Sequence, residues 1–356
     1  MPSDTGSAAY PPPPPPAPRP PVGARPPAVA MPAIAMQSGT AASDALAFHR
    51  LDRARSRPLR WWRPLLVAVV AVALYLVMLI AIFVPFVILS LIMPEPTPAM
   101  EALARGEVPG FDVADPTGFL LLVVPLILMI PALLAASRMV GGRGAGLLLS
   151  VAGRLRWGWL GRSLLAAVAV YAVQTALSLL LEVASGGSVA VDLSQPGLLL
   201  MLVLIVLLVP LQSAAEEYVF RGFLMQAIGT WLRHPLFPIL LPIPLFVFGH
   251  LYDVWGLLSV AVFAVTAAWL VWRTGGLEAA IALHAVNNVS AFGLEALGLA
   301  DANATTGTPM DVIITAVTMA VYVAIIEGMQ RRSGLMRTRV VSAPAPTLSA
   351  TLSPRG

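Results

Sequence analysis

Cysteine and lysine are both absent from this 356-residue chain, and charged side chains of any kind make up only 11% of it. Without cysteine there is no disulfide framework, no thiolate nucleophile and no Cys-based metal site. The scarcity of charge, set against 58% hydrophobic residues and a mean hydropathy of +0.83, excludes an ordinary soluble globular domain. What remains is an all-α, polytopic membrane helical bundle. All 22 basic residues are arginines, a bias that fits a GC-rich bacterial source. In a soluble protein a net charge of +4 and a pI near 9.9 would suggest a nucleic-acid partner. Here the arginines flank apolar runs, so no nucleic acid is expected and their role is to orient the chain in a bilayer.

Residues 1–48 read as a disordered, Pro- and Ala-rich tail with an unbroken run from Pro11 to Pro16, and residues 49–63 as a basic juxtamembrane arm ending in Trp61 and Trp62. No stretch reads as a signal peptide, since the first long apolar run begins past residue 60. The membrane domain is expected over 64–330, followed by a polar tail over 331–356. Apolar runs of about 17 to 25 residues mark spanning helices. Eight are expected, near 64–93, 117–136, 163–184, 197–220, 236–252, 255–273, 276–299 and 309–329. The fifth is the least regular because it opens among Pro235, Pro238, Pro242 and Pro244. Arginines fall in the arm, the even-numbered loops (among them Arg143), beside the sixth span and in the tail. Acids such as Asp112, Asp192, Asp253 and Asp301 fall in the odd-numbered loops. The positive-inside rule then puts both termini in the cytoplasm of a bacterial inner membrane.

Within these spans lie several ionisable groups, each costing roughly 2.5 to 3.5 kcal/mol at membrane depth, which makes a functional site the default expectation. Glu216, Glu217 and Arg221 close the fourth span, His250 lies in the fifth, and His284, Asn287 and Asn288 lie in the seventh. Residues four apart share a helix face, so Glu217 faces Arg221 and His284 faces Asn288. The first pair reads as an intrahelical ion pair. Glu216, about 100° around the helix from Glu217, meets only Gln212 and Phe220 at four-residue spacing and so lacks an ionic partner. Such an acid is suited to general-base work, or equally to a buried hydrogen-bonding role. Asp253, Glu278 and Glu327 read as boundary charges, and His49 and His234 as solvated or interfacial.

The ordered set Glu216-Glu217 with Arg221, Phe246 with His250, and His284 with Asn288 resembles the CPBP family, the CAAX prenyl protease 2 enzymes and their bacterial relatives also called Abi proteins. The resemblance covers a motif core of about 198–298. It implies an intramembrane endopeptidase that cuts near the C-terminus of a membrane-associated peptide, with Glu216, His250, His284 and Asn288 as catalytic residues and Glu217 and Arg221 in support. Glu216, helped by His250, would deprotonate a water, and His284 and Asn288 would donate to the oxyanion. Neither a metal nor another cofactor is required. A zinc set would be Glu216, His250 and His284, without the His-Glu-x-x-His helix of many zinc peptidases.

Two other classes fit parts of the pattern. Buried Glu, His and Arg also build the relays of proton-coupled transporters, but here they crowd into the second half of the chain rather than recurring in two halves. A noncatalytic scaffold acting through the proline-rich tail is the third. Straight spans would hold His250 roughly 20 Å deeper than Glu216 at 1.5 Å per residue. The site therefore requires the prolines to break the fifth span, with 222–244 interfacial or re-entrant, and a cavity open toward the cytoplasm.

Overall fold

The computed structural model describes residues 44–54, 60–107, 109–140, 144–301 and 303–341. The proline-rich run, Arg55, Arg57, Arg143 and the tail beyond residue 341 lie outside the described residues. The architecture is a helical bundle, as the apolar runs require. In chain order it comprises β1 (Asp44–Ala47), a 3₁₀ turn (Phe48–Ala54), α1 (Arg63–Ile92), α2 (Pro98–Ala104), α3 (Pro116–Ile127), α4 (Met129–Met139), α5 (Ala145–Leu149), α6 (Trp157–Ala184) and α7 (Leu198–Glu217). A π-helical segment (Tyr218–Leu224) leads on to α8 (Met225–Trp231), α9 (Leu236–Leu240), α10 (Ile243–Val247), α11 (Val254–Thr274), α12 (Glu278–Ala296), α13 (Pro309–Ser333) and β2 (Thr338–Val341).

Among the described residues six helices, not the eight expected, are long and apolar enough to cross a membrane: Arg63–Ile92, Pro116–Met139, Trp157–Ala184, Leu198–Trp231, Val254–Thr274 and Pro309–Ser333. The fifth run fails because its prolines split it into α9 and α10, after which the chain leaves the helix at Phe248. The seventh run does form a helix, α12, yet its polar residues deny it the character of a span. It is instead largely enclosed by the bundle, packing chiefly on α7 and α6. Ala279, Ala280, Ala282 and Ala285 are all buried, and small residues of this kind let neighbouring backbones come close. The fourth helix also departs from expectation. Residues 222–231 are not interfacial but continue α7 through the π segment, giving a 34-residue rod from Leu198 to Trp231.

The interhelix contacts sort the molecule into two ends. At the acid-bearing end, Phe111 exchanges two hydrogen bonds with the Asn303 side chain, Asp192 N–H bonds Leu297 O, and Asp253 caps α11 while accepting from Gly307 N–H. At the arginine-bearing end, Glu278 proves not to be a solvated boundary charge. It is fully buried and gripped by Arg156 through Nη2 at 2.6 Å, Nε at 2.8 Å and the backbone N–H at 2.9 Å. Arg156 Nη1 also bonds Thr274 O and Met336 O, so one guanidinium ties the starts of α6 and α12 to the C-terminal segment. Glu327 is likewise paired, with Arg273 at 2.6 Å.

The same end carries a clasp that composition does not announce. β1 and β2 pair antiparallel, Ala45 opposite Val340 and Ala47 opposite Thr338, so the two ends of the described chain meet. The 3₁₀ turn lies on α8, with Phe48 and Leu51 buried and Arg50 Nη1 donating to Gly229 O at 2.7 Å. Gly229 permits this approach, since a Cβ there would collide with His49 O. His49 is therefore buried rather than solvated, and its Nε2 donates to Arg233 O at 3.1 Å. Burial holds its imidazole below the ordinary value of 6.5, and the neighbouring Arg50 and His234 add to the effect against the opposing carbonyl bond. As the pH falls through about 6.5 the unfolded chain takes up a proton that the folded clasp resists, so stability should fall. The thermal midpoint of the detergent-solubilised protein should drop between pH 7.5 and 5.5, and His49→Gln, which keeps a donor for Arg233 O, should flatten that drop. An equal drop in both proteins would remove His49 as its source.

Candidate active site

The charged face is built on the last turns of α7 and the π segment that follows. Gln212 and Glu216 lie one helical turn apart, as do Glu217 and Arg221, and both pairs close: Gln212 Nε2 donates to Glu216 Oε1 at 2.7 Å, and Arg221 Nη1 to Glu217 Oε1 at 2.8 Å. The ion pair expected from spacing thus forms. Glu216 is not without a partner at four-residue spacing, however, because a neutral amide holds one of its oxygens. Widening into a π turn sets this region against the segment around α5, where Tyr218 Oη donates to Ala145 O and Gln226 Nε2 to Leu147 O. π turns inside helices recur at functional sites. Gly222 belongs to the same contact, since a Cβ there would press on Leu148 O at 3.0 Å.

From α12, His284 reaches both acids. Its Nδ1 lies 2.9 Å from Glu217 Oε1 and its Nε2 lies 3.5 Å from Glu216 Oε2. Glu217, Arg221 and His284 are 0%, 3% and 3% exposed, and Glu216 is 8% exposed. Asn288 Nδ2 donates to Gln212 Oε1 at 3.1 Å, so four of the expected residues, Glu216, Glu217, Arg221 and His284, form one cluster that Asn288 joins through Gln212. His250 is reached differently. It follows α10 on non-helical chain, its Nδ1 donates to Phe246 O at 2.9 Å, and its ring lies 5.0 Å from that of Phe246. Phe246 is the hub: Arg221 sits over its ring at 4.2 Å, and the Phe220 and His284 rings lie 5.0 and 6.1 Å away. The proline break thus sets His250 against Phe246, whose ring in turn meets Arg221 and His284.

A cavity of about 420 Å³ adjoins this cluster. His250, His284, Asn287, Asn288, Phe246 and Phe263 line its deep part, and Tyr252, Asp301, Thr305 and Asp311 carry the lining to the acid-bearing end. This reverses the cavity expected to open toward the cytoplasm on the arginine-bearing side. The chain between α10 and α11 leaves the helix at Phe248, and Tyr252 from it joins the lining.

Proton accounting constrains what the cluster can do. An ionised Glu217 only accepts, so His284 Nδ1 must donate to it. His284 Nε2 and Glu216 Oε2 then face each other and need one proton between them, held by either partner or by a bridging water. With that proton on the imidazole, Arg221 and His284 balance Glu216 and Glu217. One acceptor is left over, for Glu217 Oε2 is buried with no hydrogen-bond partner among the described residues. A zinc ion set on Glu216, His250 and His284 does not fit this arrangement. Among the described residues no three His, Asp or Glu side chains are grouped to hold a metal ion.

Gln212, Tyr171 and Asn287 were not among the residues expected to form the site, yet each is bonded into it. Tyr171 Oη donates to Asn287 Oδ1 at 2.8 Å, and Asn287 Nδ2 to Asn288 Oδ1 at 2.8 Å. A polar side chain one turn before Glu216 on the same helix was the available signal for Gln212; Tyr171, on the preceding long helix, offered none.

Comparison with known proteins agrees with the motifs. Residues 195–290 match the family described as type II CAAX prenyl endopeptidase Rce1-like. The uncharacterized protein YyaK of Bacillus subtilis (strain 168) is 36% identical over 90 residues, covering 23% of this chain and 30% of that protein. The match therefore spans less than a third of the relative's length. No solved structure matches. The resemblance read from the motifs is thereby borne out at the level of the family, and residues 195–290 of this integral membrane protein are similar to the Rce1-like enzymes.

Proposed function

We propose that this chain is a membrane-embedded endopeptidase in which Glu216 activates a water to hydrolyse a peptide bond near the C-terminus of a membrane-associated peptide. One observation carries the proposal: a buried carboxylate, held on one oxygen by Gln212 and facing His284 with the other, beside a 420 Å³ cavity lined by His250 and Asn288. Glu216 Oε2 takes one proton of the water as its oxygen attacks the scissile carbonyl carbon. With Nδ1 donating to Phe246 O, His250 keeps Nε2 to accept the other water proton and orient the nucleophile. The developing oxyanion takes the second N–H of Asn288, and Glu216 returns its proton to the leaving amine. His284 serves Glu216 rather than the oxyanion, since its Nδ1 is committed to Glu217. No metal enters these steps. The preferred setting is a bacterial plasma membrane with both termini in the cytoplasm, the lipid bilayer and the peptide substrate being the partners.

The test is cleavage, in proteoliposomes, of a reporter that ends in a membrane-associated peptide. His250→Ala is expected to cut kcat about 10²-fold, the lower range for loss of a general acid–base partner, and a chelator is expected to leave wild-type cleavage unchanged. Equal cleavage by wild type and His250→Ala would remove His250 from the mechanism. Loss of cleavage on chelation, restored by zinc, would overturn the metal-free route.

A further inference from the structure

Four hydrogen bonds run from α6 to the proposed base. They link Tyr171 Oη to Asn287 at 2.8 Å, Asn287 to Asn288 at 2.8 Å, Asn288 to Gln212 at 3.1 Å and Gln212 to Glu216 Oε1 at 2.7 Å. Their direction follows from chemistry. An ionised carboxylate only accepts, so Gln212 must turn its amide nitrogen to Glu216 and its oxygen to Asn288. Asn288 must then present nitrogen to Gln212 and oxygen to Asn287, and Asn287 presents oxygen to Tyr171. The phenol is the terminal donor, and every link points toward Glu216. Gln212 and Tyr171, at 5% and 7% exposed, shield the two ends of the relay, while Asn287 and Asn288 line the cavity.

We propose that Tyr171 is a positioning residue for Glu216, acting through this one-way relay of three amides. The inference rests on Glu216 being the general base. Donors aligned head to tail polarise one another, and the relay fixes Glu216 Oε1 so that Oε2 alone is presented to His284 and the substrate water. It also explains why Asn287, which touches neither acid, is polar in a helix that the bundle largely encloses. The assignment extends the site to α6, which precedes the family-matched residues 195–290.

Tyr171→Phe keeps the ring and removes only the terminal donor. It is expected to lower kcat about tenfold, the rate equivalent of about 1.4 kcal/mol, with KM changed less than twofold and the thermal midpoint held. The double variant with Gln212→Met discriminates a relay from packing. Once Gln212 is gone, Tyr171→Phe should cost nothing further, because the link between Tyr171 and Glu216 is already cut. A second measurement does not depend on cleavage. The infrared carboxylate band that disappears in Glu216→Gln should shift in Tyr171→Phe but not in Tyr171→Phe made on Gln212→Met. A wild type that cleaves nothing while the band still shifts in this pattern would defeat the protease reading and leave the relay standing. An unshifted band, or costs of Tyr171→Phe and Gln212→Met that simply add, would overturn the relay.

Discussion

Glu216→Gln should reduce kcat by about 10²- to 10⁴-fold while leaving the protein folded, the range expected for loss of a general base. The substitution changes one oxygen to an amide and leaves the volume unchanged. Its remaining oxygen still accepts from Gln212, and its new N–H₂ faces His284 Nε2, so neither neighbour is stranded. What is lost is the ability to take a proton from water. Steady-state cleavage of the reporter in proteoliposomes, beside thermal unfolding of the same preparation, separates the two effects. Residual activity above about a tenth of wild type, far outside the range for a lost base, would rule Glu216 out of that role. Substitution of Glu217 differs in kind, because it strands Arg221 and His284 together in the interior.

Arg156→Ala should be the most destabilising single change at the arginine-bearing end, at about 3 to 5 kcal/mol, because it leaves Glu278 charged, fully buried and unpaired. Both carboxylate oxygens accept from that one guanidinium, Oε1 keeping only the backbone N–H of residue 156 in the variant, and Thr274 O and Met336 O lose a donor as well. Replacing both partners by methionine should recover much of the loss, since a buried ion pair is often worth little more than an apolar pair of similar volume. Denaturation in detergent at fixed protein and detergent concentration measures all three. A single-variant loss under about 1 kcal/mol would mean that water reaches Glu278 and solvates it. The anchor also matters to the site, because Glu278 opens α12 and His284 lies six residues along it, roughly 9 Å at 1.5 Å per residue. Slack at Arg156 would let the imidazole slide past Glu216.

Local patterns were legible because a helix repeats its faces. Spacing of four paired Glu217 with Arg221, and the scarcity of charge marked the membrane before any helix was drawn. The same rule, applied only to ionic partners, passed over Gln212, since a neutral amide carries no charge to flag it. Eight apolar runs were visible, yet two of them are not long, apolar helices. Proline chemistry ended the fifth early, and neighbours on α6 and α7 took the place of lipid around the seventh. Glu278 was read as a boundary charge and His49 as solvated or interfacial because each sits beside a loop in sequence, and their burial arises from Arg156 and α8, distant along the chain.

Membrane class, the helical bundle, the motif residues and the Glu217–Arg221 pair were thus determined by the sequence alone, because hydropathy and the 3.6-residue period act locally. Tertiary structure alone decided that His284 bridges both acids, that the cavity runs to the acid-bearing end, and that a tyrosine on α6 joins the line of donors ending at Glu216. Those relations depend on how far each helix slides and turns against its neighbours, and interhelix packing sets that slide and turn.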